Sequence, residues 1–127
     1  MQHEMTLAPE WFELTKAGAK KVEFRLFDAK RREIRLNDDI LFKRDVCDCF
    51  KVTVKGLEMY KNFYEAYTNT PCRYLGISIY DEPLDYEKRL LGFLNNLYPL
   101  ETQEELGVVV IRFELKEPTC QQNRKKS

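Results

Sequence analysis

Lys20, Glu23 and Arg25 fall within the stretch GAKKVEFRL, residues 18–26, and are the side chains of this sequence best placed to do chemistry. Val22, Phe24 and Leu26 alternate with Lys21, Glu23 and Arg25, the pattern of a strand with one buried face. In such a strand Glu23 and Arg25 share the opposite face about 7 Å apart, and Lys20 at the strand entrance reaches the same place. One carboxylate between two cations has two readings. As a surface ion-pair cluster it contributes at most about 1 kcal/mol. As a small polar site it offers Arg and Lys donors to a phosphate, while Glu accepts from a base or ribose edge and keeps the cations oriented. If the site is catalytic, Lys20 and Glu23 form its acid–base pair.

The elements that must position these residues follow from periodicity and caps. HEMTL reads as a short extended segment. Pro9 then opens a helix, where its missing N–H costs nothing, and Gly18 suits the left-handed stop. After the strand, DAKRRE reads as a polar loop, and Asn37 and Asp38 as a turn feeding a strand at Ile40 to Phe42. Phe50, Val52 and Val54 alternate again. Asn62 with Glu65 forms a capping box for a short helix. The stretch from Pro83 to Leu97 puts Tyr86, Leu90, Phe93 or Leu94, and Leu97 on one helical face, and Thr102 with Glu105 forms a second capping box ahead of Gly107. GVVVIRFEL is the last strand, with Val109, Ile111, Phe113 and Leu115 inward. The interspersed order predicts one α+β domain over 1–115 whose sheet curls on itself, followed by a disordered basic tail over 116–127.

Composition narrows the function classes. In 127 residues with 43% hydrophobic side chains, no run approaches the roughly 18 apolar residues of a membrane span, and the N-terminus lacks a signal-peptide layout. Cys47, Cys49, Cys72 and Cys120 form no C-x-x-C pair, so reduced thiols and a cytoplasmic protein are expected. His3 with Cys47 and Cys49 has no metal-site spacing, and neither a metal nor another cofactor is expected. The formal net charge is zero, yet from Lys16 to Arg35 there are eight basic residues against three acidic ones. From Asp81 to Glu105 seven acids face two bases. The basic stretch permits an anion-binding face and adds Lys21, Arg31 and Arg32 to the candidate nucleic-acid contacts, although charge runs are also ordinary solvated surface. Tyr60, Phe63, Tyr64 and Tyr67 offer either a base-stacking surface or core.

Gly18, Lys20, Glu23 and Arg25 match the G-x-K-x-x-E-x-R signature of the ASCH domain family, relatives of the PUA-like RNA-binding fold. His3-Glu4-Met5 ahead of the Pro-initiated helix, LFDAKRREI, the N-D-x-I-x-F turn and strand, and the closing L-G-V-V-V-I-R resemble the small bacterial and archaeal members in the same order. The resemblance implies a small PUA-like β-barrel flanked by short helices, with the signature residues lining a cleft. It also implies a partner: RNA, single-stranded, or a nucleotide. Members have been assigned nuclease and nucleoside amidohydrolase roles. In the amidohydrolase branch threonine holds the position of Glu23 and acts as the nucleophile. A carboxylate does not replace an activated hydroxyl in acyl transfer, so Glu23 disfavours that mechanism here. An interaction module without nucleic acid is the remaining alternative.

Overall fold

The computed structural model describes residues 1–77 and 82–116. Nine elements among these residues follow in chain order: β1 (Gln2–Thr6), α1 (Pro9–Lys16), β2 (Val22–Leu26), β3 (Asp39–Lys43), β4 (Cys49–Tyr60), α2 (Phe63–Thr68), α3 (Pro83–Leu97), α4 (Leu100–Leu106) and β5 (Val108–Leu115), with short 3-10 turns at Arg31–Glu33 and Cys72–Tyr74. The strands form one sheet in the order β1-β3-β4-β5-β2. Among the described residues only the β1/β3 pair is parallel. The sheet curls into a five-stranded half-barrel with helices against it, the α+β architecture expected.

The interior strand β5, between β4 and β2, departs from simple alternation. Val109, Ile111 and Phe113 pack with Met5, Phe12, Ile40, Phe42 and Val54 on one face. Val108 and Val110 pack with Phe24, Phe63, Tyr86 and Leu90 on the other. Burial of both faces explains the unbroken run VVVI, since a strand covered on each side has no solvent face to mark with polar residues. Leu115, expected inward, is exposed at the strand end. Strand β4 continues to Tyr60, farther than the alternation at Phe50, Val52 and Val54 indicates, because its register shifts between Val54 and Gly56 and the period is lost there.

The helices divide similarly. Gly18 stops α1 with φ +84, and Asn37 takes the turn with φ 72, the left-handed backbone that Asn tolerates best among residues with a side chain. The Asn62 side chain accepts from the Glu65 N–H at 2.8 Å, and Glu65 in turn accepts from the Lys61 N–H. The capping box expected at Thr102 and Glu105 does not form. Helix α4 begins at Leu100, directly after Pro99, so both residues lie inside it. Gln103 from this helix is fully buried instead. It accepts from the Phe63 N–H at 2.9 Å and donates to Asn95 and to the Tyr98 carbonyl, both at 2.8 Å. On α3 the buried side chains are Tyr86, Leu90, Leu91 and Leu94, whereas Phe93 and Leu97 are 41% and 52% exposed.

Lys116, where the expected tail begins, is held by the sheet. Its N–H donates to the Lys51 carbonyl and its ammonium pairs with Asp39 at 2.6 Å. Residues 117–127, with Cys120, lie outside the described residues. Among those described, no helix is long and apolar enough to cross a membrane.

The turn before β3 carries an acid-sensitive contact. Asp38 accepts from the Arg35 N–H at 3.0 Å and lies 2.8 Å from His3 Nε2. The His3 contact, then the Arg35 N–H, hold the Asp38 carboxyl down to about 2. A folded-state pKa below the unfolded one contributes stability above the ordinary aspartate range, near 3.9, and loses it as pH falls towards the folded value. Urea melts between pH 5 and about 2 are therefore expected to show a shallower acid decline for Asp38→Asn than for the wild type; equal slopes would place the acid sensitivity elsewhere.

Candidate nucleic-acid interface

The candidate site is built where α1 hands the chain to β2. After Gly18 turns the chain, Lys20 forms an antiparallel bridge with Leu75. Gly76 then passes so close that a Cβ there would lie 3.2 Å from Lys20 Cβ. The lysine stem is thus enclosed, and the residue is 2% exposed. Its ammonium donates to the Val22 carbonyl and, at 3.1 Å, to Glu23 Oε1.

Glu23 is 8% exposed and uses its second oxygen to accept from Arg25 Nε at 2.6 Å. Burial, the largest single influence, pushes the Glu23 carboxyl up; the charges and hydrogen bonds of Lys20 and Arg25 together outweigh it and hold the group below its ordinary value. Glu23 is therefore an ionised acceptor at neutral pH. The trio is not the solvated surface cluster that strand alternation alone allows. The reason is β5: Glu23 pairs with Ile111 and Arg25 with Val109, so the polar face of β2 turns towards the apolar interior of the curl.

Arg25 also closes the architecture. Its Nη2 donates to the Thr6 carbonyl at 2.7 Å. Since β1 and β2 are the two ends of the sheet, this guanidinium ties together edges that no strand pairing joins.

Beside the trio lies a cleft of about 100 Å³ lined by Thr6, Leu7, Trp11, Glu23, Arg25, Phe93, Leu97 and Tyr98 among others. It explains why Phe93 and Leu97 are not core: they form its apolar wall. A second recess, sharing Trp11, Glu23, Phe93 and Leu94 with the first, reaches Lys20. Of the wall residues, Phe93 and Leu97 were legible in the sequence only as helix-face positions, and Tyr98 not at all.

The remaining candidates are placed elsewhere. Lys21 is exposed and lines a separate cleft with Tyr74 and Arg112. Arg31 pairs with Asp28 at 2.9 Å. Arg32 donates to the Leu106 carbonyl and stacks 4.3 Å from the Phe27 ring centroid. Neither arginine touches the trio or lines these clefts; both hold the β2–β3 connection in place. Phe63 is core and Tyr64 exposed, so the tyrosine-rich helix presents no continuous stacking face. Cys47, Cys49 and Cys72 are exposed free thiols. Among the described residues no three His, Cys, Asp or Glu side chains come together as a metal site, and His3 is engaged with Asp38.

Comparison with known proteins bears on the family and the fold. The family model of the ASCH domain matches residues 5–117. The chain belongs to the ASCH domain family. Its fold resembles the crystal structure of the hypothetical protein PH0355, with a TM-score of 0.73 and 34% identity over 91% of this chain and 100% of that one. The solution structure of PF0455 from Pyrococcus furiosus matches at TM-score 0.66 and 32% identity, covering 92% and 99% of the two chains. The crystal structure of ASCH from Zymomonas mobilis shares the fold at TM-score 0.53 and 14% identity, over 89% of this chain and 66% of that one. No curated protein matches the chain. In this chain Lys20 and Glu23 are a buried ion pair, joined by the partly exposed Arg25 at the seam of the curled sheet, with an aromatic cleft beside them.

Proposed function

We propose that this ASCH protein binds single-stranded RNA by taking an unpaired base into the cleft between β2, α1 and α3. The observation that carries the reading is the cleft's make-up: Trp11, Phe93 and Tyr98 as aromatic walls, with ionised Glu23 and the Arg25 guanidinium as its polar groups. Such a site stacks a base and hydrogen-bonds its edge, which is how unpaired RNA bases are recognised. At about 100 Å³ the cleft holds a planar group and leaves sugar and phosphate outside, well below the roughly 300 Å³ of pockets that enclose whole ligands. Glu23 fits an acceptor role because two cations keep it charged.

Trp11 is the sole tryptophan, so its emission reports on the cleft. Titration with a labelled single-stranded RNA is expected to change that emission and to give an affinity that falls steeply with salt, the RNA being recovered intact. Phe93→Ala, at a half-exposed position, is expected to weaken binding about tenfold, the worth of one base stack. No binding at low salt would overturn the reading, and cleavage of the RNA that depends on Lys20 would replace it with the hydrolase alternative.

A further inference from the structure

A second pair of clefts lies on the other face of β2 and β5. One, of about 410 Å³, is lined by Gly18, Lys20, Lys21, Tyr74, Arg112 and the end of β5. The other, of about 430 Å³, shares Tyr74 and Arg112 and adds Gly56, Glu58, Thr70 and Arg73. Each is wide enough for a nucleotide, unlike the cleft at Glu23.

The arrangement around Arg112 is specific. Arg112 stands opposite Gly56 on β4 and Val22 on β2. A Cβ on Gly56 would meet Arg112 Nη2 at 3.0 Å and Nε at 3.1 Å, so the guanidinium lies across the bare glycine. There it donates to the Lys55 carbonyl at 3.3 Å, its only hydrogen bond among the described residues. Lys21 and Arg73 likewise have no carboxylate partner among those residues. Lys16, Arg25, Arg31, Lys43, Arg44, Arg89 and Lys116 are ion-paired, whereas Lys30, Lys51 and Lys55 are not, among the described residues; what sets Lys21, Arg73 and Arg112 apart is that they line these two adjoining clefts. Arg73 packs 4.7 Å from the Tyr74 ring centroid, and a guanidinium held against a ring gives a base a stacking surface. The carboxylates of Glu58 and Glu114 at the same clefts keep the surface from being a general anion trap, and Glu58 accepts from the Tyr60 hydroxyl.

We infer that Arg112, Lys21 and the Arg73–Tyr74 stack form a second nucleotide subsite, in which Arg112 and Lys21 hold a phosphodiester and Arg73–Tyr74 carries the attached base. The inference rests on the RNA-binding reading and extends it. Lys20 lines both the recess behind Glu23 and the cleft at Arg112, so the two sites are neighbours across β2. A single strand running from one to the other passes the exposed Lys21.

The test is binding of a labelled RNA of about ten nucleotides, within the usual span of single-strand sites. Arg112→Gln and Lys21→Gln, both at exposed positions, are each expected to weaken binding about tenfold and to reduce the salt slope by about one unit. The same RNA carrying 5-iodouridine is expected to photo-cross-link to Tyr74. Wild-type affinity and slope in both variants, with no cross-link at Tyr74, would overturn the second subsite while leaving the Trp11 response, and thus the first, in place. Absence of any wild-type binding removes both.

Discussion

Glu23→Gln is expected to cost about 3 kcal/mol of folding stability, a fall in melting temperature on the order of 10 °C, because it strips the charge partner from a lysine that is 2% exposed. An amide oxygen still accepts a hydrogen bond but does not neutralise the Lys20 ammonium, and taking away one member of a buried pair costs more than taking both. The double variant Lys20→Met/Glu23→Leu is therefore expected to return to within about 1 kcal/mol of the wild type. Arg25 tolerates that change better than Lys20 would, being more exposed and still donating to the Thr6 carbonyl. The pH dependence has a definite sign. Glu23 has a lowered folded-state pKa, so its stabilising contribution is complete above the ordinary glutamate range and fades as pH falls through the folded value. The gap between wild type and Glu23→Gln should narrow accordingly on acidification. Denaturant melts of the three proteins settle the matter: a single-variant loss under about 0.5 kcal/mol would mean that the trio behaves as a solvated surface cluster.

Gln103→Leu is expected to destabilise the protein by about 2 to 3 kcal/mol, with Thr102→Ala close to neutral. Leucine fills much of the same space, so the loss is polar in origin. It leaves the Phe63 N–H without its acceptor, and the Tyr98 carbonyl and Asn95 without their donor, all in or beside the core. The contrast between neighbours is the informative part. Thr102 and Glu105 have the spacing of a helix cap, but Pro99 starts α4 early and leaves them mid-helix. The reverse ranking in thermal melts, Thr102→Ala costly and Gln103→Leu harmless, would show that the local cap governs this corner.

These two predictions also mark where the sequence was legible. Local rules carried far: Pro9, Gly18, Asn37 and Asn62 each act as their backbone chemistry dictates, and the alternation from Val22 to Leu26 is a strand. Each of those features needs only residues a few positions apart. Gln103 could not be read because its partners are Phe63, Asn95 and Tyr98, the first of them forty residues away. Glu23 was legible as a neighbour of Arg25, but its burial was not, since that depends on β5 lying alongside and on the curl of the whole sheet. Phe93 and Leu97 fit a buried helix face by period and instead wall the cleft. Arg112 gave no local sign at all, because its distinguishing contact is with Gly56 on another strand.

The bond from Arg25 to Thr6 has a wider consequence. A barrel zipped shut by main-chain ladders inherits a fixed shear, and changing its bore means sliding whole strands by two residues at a time. In this protein the last gap is spanned by one side chain, so the offset between the first and last strands is not quantised. The opening that sits at that gap can be widened or narrowed by exchanging single residues on its rim, with the rest of the circumference undisturbed. A fold fastened in this way can be retuned to different guests without being rebuilt.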